Sequence, residues 1–399
     1  MIFFKSLKQF SLFALIGISL LVPALSYAGE SDFEVAGWIP YWRDSEGIKD
    51  AKKHLSSINM VFPFAFTVTT QGVIKDQANL SAKEWTSFVK SAQSKGVEVV
   101  PTVMWSDGAS IHAVLSATST RKAHIDGIVE MVTKGKYDGV DIDYESKQAE
   151  TINYFSLFLK ELKTKLGNKL LTCTVEARTP PDSLYKEVPA VLTYANDYKA
   201  IGTYCDRVEI MAYDQQRADL KLNEARTGQP YMPVSDVDWV RKVVALAVKD
   251  IPKEKILLGL STYGHHYTVT VAPNWYKNYQ KIGALNVPGI LDIAKEHKVT
   301  PSRNSAGEMS FTYLPRGSKL KFPKTLVIPK DTPKGNTVAA QALAYANKTG
   351  ETVTFNLAWY SDAGAMKQKI DLAKEFRLAG VALFKFDKEE DQKVWTYLK

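Results

Sequence analysis

The chain has 399 residues, with 51 Lys and Arg against 43 Asp and Glu and a formal net charge of +8. The basic residues are scattered and form no stripe interleaved with stacking aromatics, so nucleic-acid binding is not implied. A mildly basic surface would instead help a protein approach an anionic envelope polymer.

Lys5 and Lys8 precede an almost wholly apolar run over residues 10–25, and Ser26-Tyr27-Ala28 puts small residues where a signal peptidase reads. We expect a signal peptide over 1–28, cleaved near Ala28, and a secreted or periplasmic mature chain over 29–399. The apolar run is slightly short for a membrane anchor. No later stretch is long and apolar enough to span a bilayer, and the mature protein is expected to be a monomer. Apolar or β-branched runs then recur at 33–38, 58–66, 97–104, 137–145, 170–176, 207–214, 256–261 and 380–386. Segments 82–94, 121–134, 152–166, 237–249 and 364–377 between them have the apolar spacing of amphipathic helices. Eight strands alternating with helices predict an α/β fold, a (β/α)8 TIM barrel.

More than 110 residues separate the last two runs. Residues 264–356 are therefore read as a small α+β insertion, with strands at 308–313, 325–328 and 352–357 and a helix at 338–347. It follows the C-terminal end of the seventh strand, the face where barrel enzymes keep their sites, and should wall a cleft suited to a polymer. Cys173 and Cys205 lie on or beside predicted strands. The expected compartment allows a disulfide, but buried free thiols are as common in such places, so their pairing stays open.

Residues 138–145 read Asp-Gly-Val-Asp-Ile-Asp-Tyr-Glu. On a strand, Asp141, Asp143 and Glu145 share one face, roughly 6–7 Å apart, and Val140, Ile142 and Tyr144 share the other. Carboxylates held so close cannot all stay ionised, and a carboxyl kept protonated near neutrality equips a general acid. A calcium loop starting at Asp141 would need glycine and an acid where Ser146 and Ile152 stand, so that reading fails. Other strand ends carry Trp38, Tyr41 and Trp42, Phe64, Trp105, Met211, Tyr213, Asp214 and Gln215, Tyr263 and Phe384, with Trp359 before the last helix. Flat rings beside acids favour a saccharide, because the rings pack on pyranose faces while polar tips bind hydroxyls. The adjacent His265 and His266 point opposite ways on a strand, so no metal is expected there, and no cofactor is implied.

These residues resemble the family 18 glycoside hydrolases, the chitinase family. Asp138 to Glu145 fit its DGxDxDxE signature, and Met211-Ala212-Tyr213-Asp214 fit its MxYD segment. Gly37-Trp38, Leu258-Gly259-Leu260, Tyr263-Gly264 and the insertion are also similar, so the likeness covers essentially the whole mature chain. It is nearest to bacterial single-domain members, a group that includes chitinases and wall-lytic N-acetylglucosaminidases. There are departures: Phe384 stands where the family usually floors the site with tryptophan, Ser106-Asp107 replace a glycine pair, and Glu176-Ala177-Arg178 is atypical.

The resemblance implies substrate-assisted hydrolysis of β-1,4-linked N-acetylglucosamine polymers such as chitin or chitooligosaccharides. In that scheme Glu145 is the acid, and the substrate's acetamido oxygen is the nucleophile. Asp143 holds the acetamido group and shares a proton with Asp141, and Tyr213 and Asp214 hold the distorted sugar. Trp38, Tyr41, Trp42, Phe64, Trp105, Met211, Gln215, Tyr263, Trp359 and Phe384 would bind substrate. A peptidoglycan-directed N-acetylglucosaminidase and a non-catalytic chitin-binding lectin are the alternatives. Lectins of this kind typically lack the terminal acid, whereas Glu145 is present.

Overall fold

The computed structural model describes residues 33–398, so the expected signal segment lies outside the described residues. Seven strands run in turn from Glu34–Pro40 (β1), Met60–Val68 (β2), Thr102–Trp105 (β3) and Gly139–Tyr144 (β4) to Leu170–Glu176 (β5), Arg207–Met211 (β6) and Ile256–Ser261 (β7). Four more form the insertion: Tyr263–Ala272 (β8), Trp275–Asn286 (β9), Met309–Tyr313 (β10) and Val353–Tyr360 (β11). Gly380–Phe384 (β12) then closes the barrel, pairing with β7 on one side and β1 on the other. All neighbouring barrel strands are parallel. With helices between them, they make the (β/α)8 barrel that the eight runs predict.

Strand alternation separates two apolar layers. Val140, Ile142 and Tyr144 face outward and pack with Ile125, Ile128, Phe155 and Phe158 of the surrounding helices. Trp38, Met60, Phe62, Leu257 and Ala382 fill the barrel interior. The helix Val237–Ala247 shows how the outer layer is built. Its buried residues Trp239, Val240, Val243, Val244 and Ala247 recur at helical spacing, and Asp236 caps its start by accepting from the Asp238 N–H. Gly139 is required by close approach, since a Cβ there would lie 2.3 Å from the Leu170 carbonyl oxygen.

Several boundaries differ from the sequence reading. The third run is broken into Glu98–Val99 and Thr102–Trp105, because Pro101 has no N–H to continue the ladder. The sixth strand stops at Met211, and Asp214 turns away with φ +55°. Residues 325–328 form no strand, and they lie among Pro315, Pro323, Pro329 and Pro333. The long β8–β9 hairpin and the helix Val287–Glu296 were not expected. β9 is mostly exposed, and Tyr276 alone among its residues is buried, so it has no buried apolar stripe.

The insertion is an antiparallel sheet in the order β9-β8-β11-β10, ending in the short strand Ser302–Arg303. Ala339, Ala342 and Ala346 of the helix Thr337–Thr349 pack against it. The sheet reaches from Tyr263 to Tyr360, slightly beyond the expected limits. Cys173 and Cys205 are joined by a disulfide with their Cα atoms 6.1 Å apart. Among the described residues, no helix is long and apolar enough to cross a membrane.

Candidate active site

The inward face of β4 is built around Asp141. Its carboxylate accepts from the hydroxyls of Thr102 (2.7 Å), Thr172 (3.1 Å) and Thr174 (3.0 Å) and from the indole N–H of Trp38 (3.4 Å). Burial nevertheless raises its pKa, with those bonds opposing. Asp143 is also buried, and its Oδ1 has no partner among the described residues. Burial first, then the charges of Glu145, Asp141 and Glu176, push its pKa well above the carboxylate range.

Glu145 lies just past the strand end, with its N–H donating to the Trp105 carbonyl at 2.8 Å. Ser146 follows at φ +54°, and this left-handed turn ends the strand direction at the acid. The Glu145 pKa is raised by burial and by the charge of Glu176, against the opposing charge of Lys147. The Asp143 and Glu145 carboxyls therefore lie at the floor of the site with both pKa values raised.

A cavity of about 190 Å³ opens above them, bounded by Asp143, Glu145, Trp38, Phe64, Met211 and Phe384. Thr174, Tyr213, Asp214 and Tyr263 complete it. The Tyr213 ring stacks on Phe384 at 6.0 Å between centroids, and burial raises its hydroxyl pKa well above the usual value, so it stays a proton donor. Burial would raise Asp214, but hydrogen bonds from His265 and Tyr263 outweigh it and hold its pKa below the usual range. His265 Nε2 lies 2.6 Å from Asp214 Oδ1. His266 points the other way, to the Tyr313 hydroxyl at 2.5 Å, so this pair is split as strand alternation requires. A second cavity of about 260 Å³ shares Glu145, Met211, Tyr213 and Asp214 and adds Glu176 and Gln215.

Much of the predicted constellation is brought together, but Trp105, Trp359, Tyr41 and Trp42 line neither cavity. Trp105 does not face the cavity. β3 pairs with β4 so that Met104 stands beside inward Asp143 and Trp105 beside outward Tyr144, and the Trp105 ring packs edge-on against Tyr144 in the outer layer. Trp359 is fully buried in the insertion's own core, where its indole N–H donates to Glu308 at 2.7 Å. Gln215 reaches the second cavity, but its amide is engaged by the Tyr231 hydroxyl and the Asp236 N–H, so it braces the loop 231–236. Trp42 is exposed at the rim with its edge against Tyr41 and Phe64.

Several contributors lay outside the predicted set. Thr172, Thr174 and Glu176 share one face of β5 at period two, a signal that could have been read. Lys147 is buried over the Phe155 ring, donates to the Tyr144 carbonyl, and lies 4.0 Å from Glu176. Burial lowers its pKa. His265 follows from no local pattern, since its partner is 51 residues away.

An acid-floored, aromatic-lined cavity at the C-terminal ends of barrel strands defines a glycosidase-like site. The sequence profile described as "Glycosyl hydrolases family 18" matches residues 34–389, and the chain belongs to this family. It is a glycosidase. It is 24% identical over 345 residues to YdhD of Bacillus subtilis (strain 168), provisionally named a sporulation-specific glycosylase, covering 85% of this chain and 67% of that one. Its fold is similar to a chitinase from Chromobacterium violaceum ATCC 12472 (TM-score 0.65, 20% identity, 92% of this chain and 98% of that one). It is also similar to the Bacillus cereus spore cortex-lytic enzyme SleL (TM-score 0.65, 18% identity, 92% and 73%). At these identities the structural likeness shows the fold alone.

Proposed function

We propose that the protein hydrolyses glycans containing β-1,4-linked N-acetylglucosamine, with retention of configuration and with the substrate's acetamido group as nucleophile. One observation carries this reading: Asp143 and Glu145 occupy successive inward positions at the end of β4 and border the same cavity from one side. A retaining enzyme that supplies its own nucleophile holds its acid and nucleophile about 5–5.5 Å apart across the scissile bond. Two carboxyls side by side on one strand face cannot flank a bond in that way. The other carboxylate facing the cavity, Asp214, is already held by His265 and Tyr263.

In this scheme Glu145 protonates the leaving oxygen while the acetamido oxygen attacks the anomeric carbon, giving an oxazolinium ion. Asp143 receives the acetamido N–H, and Asp141 supports it. Tyr213 donates its hydroxyl to the acetamido oxygen. Water then opens the ring, with Glu145 now acting as base. Trp38 and Phe384 form the apolar floor. The protein is further proposed to act outside the cytoplasm, which the Cys173–Cys205 disulfide supports.

Chitin oligomers satisfy these requirements. Peptidoglycan strands do so equally, and the charged Glu176–Arg178 segment beside the cleft favours them as a second reading. The Glu145→Gln variant should lose about 10²–10⁴-fold in turnover on both polymers while still binding oligosaccharide. Unchanged turnover would refute the assignment of the acid. A thiazoline analogue of N-acetylglucosamine should inhibit more strongly than the free sugar, and equal inhibition would remove the acetamido nucleophile.

A further inference from the structure

The loop between β5 and the helix Tyr198–Tyr204 encloses a groove of about 360 Å³ that adjoins the second cavity. Glu176, Ala177 and Thr179 line both this groove and the second cavity. Arg178 forms part of its wall. The guanidinium carbon lies 3.7 Å from the Tyr194 ring centroid and 4.1 Å from that of Tyr198, and Nη2 donates to the Asn196 carbonyl at 2.7 Å. Two rings and one hydrogen bond fix the guanidinium plane, which has further N–H donors to offer.

The neighbouring acid, Glu176, has other partners. It accepts from the Ser146 N–H at 3.0 Å and the Asn196 amide at 2.8 Å, and it lies 4.0 Å from Lys147 Nζ. Among the described residues no carboxylate is ion-paired with Arg178. A held cation without a counter-charge, beside a catalytic cleft, is arranged for an anionic group of the ligand. Tyr185, which is 40% exposed, and Leu184 offer apolar surface along the same groove.

Orientation follows from the acids. A general acid touches both the attacked sugar and the leaving sugar. Asp143, which holds the acetamido group, faces the first cavity and not the second. The second cavity and the groove beyond it therefore lie on the leaving side.

Resting on the glycosidase reading above, we propose that this groove takes a leaving sugar bearing a carboxylate-containing substituent, and that Arg178 is the residue that selects it. Such a carboxylate can come from a lactyl ether at O3, as in a muramic acid residue, or from a peptide stem attached to that ether. Both sources present the same group to the same arginine.

The test is calorimetric binding to the full chain carrying Glu145→Gln, which prevents turnover. The probes are N-acetylglucosaminyl-β-1,4-N-acetylmuramic acid, its carboxyl-reduced form, its methyl amide and its stem-peptide conjugate. The free acid or the peptide conjugate should bind about tenfold or more tightly than the two neutral forms, as expected for a charge-assisted hydrogen bond. Preference for the free acid identifies the lactyl carboxylate, and preference for the conjugate alone identifies the peptide's. Adding Arg178→Gln should abolish the preference, and Arg178→Lys should keep part of it. Equal binding of all four probes overturns the proposal, as does a preference that survives Arg178→Gln. The glycosidase reading is tested separately by product release from the chain with Glu145 intact, so a binding preference without hydrolysis would remove catalysis and leave the groove's ligand standing.

Discussion

Glu145 owes its chemistry to its surroundings. Burial raises its pKa most, and the Glu176 carboxylate adds to this while Lys147 opposes. A general acid works only while protonated, so kcat/KM should fall as the pH rises through the pKa of Glu145. Glu176→Gln removes one of the charges that raises that pKa. The basic limb of the pH–rate profile should therefore move to lower pH, more visibly at low ionic strength because the Glu176 side chain is 39% exposed. A limb that stays in place would show that Glu176 does not reach the acid electrostatically. At this scale the alternation of residues 140–145 was fully legible, because period two is a property of the strand itself. The Glu145–Glu176–Lys147 balance was not, since it depends on two strands meeting side by side.

At the scale of elements, the loop from β5 to β6 combines a tether with a wall of the site. Cys173 points outward from β5, between inward Thr172 and Thr174, and bonds to Cys205 at the end of the helix Tyr198–Tyr204. The bridge spans 32 residues, the stretch that includes Arg178 and its two tyrosines. Replacing both cysteines with alanine should cost about 3 kcal/mol in denaturant unfolding, by releasing that loop in the unfolded chain. A loss well below 1 kcal/mol would mean that the packing of the two buried residues already determines the loop. The strands were legible as apolar runs, but their ends were set by Pro101 and by the turn at Asp214. The β8–β9 hairpin escaped notice because β9 is mostly exposed and has no buried apolar stripe to betray it.

Across the whole molecule, the barrel interior holds acids at several depths. Glu209 on β6 is fully buried below the cavity, and neither carboxyl oxygen has a partner among the described residues. Burial, then the charge of Asp141, raises its pKa well above the usual value. An acid raised in the folded state stabilises the fold at low pH and loses that contribution as the pH climbs through its folded pKa. Glu209→Gln mimics the protonated form, so its melting temperature should exceed that of the parent by a margin that widens as the pH rises above the ordinary glutamate range. A margin independent of pH would mean that Glu209 does not titrate in the fold.

Some of this protein was determined by sequence alone. The inward row Asp141, Asp143 and Glu145 follows from strand periodicity, and the eight alternating units that place it follow from local apolar pattern. Other features were decided only by tertiary structure. β3 met β4 in the register that turned Trp105 outward, and the insertion folded on itself and enclosed Trp359 with Glu308. The β5 loop closed over Arg178. The division has a physical reason. Local pattern decides which residues share a face of their own strand, whereas contacts between distant segments decide what each face meets.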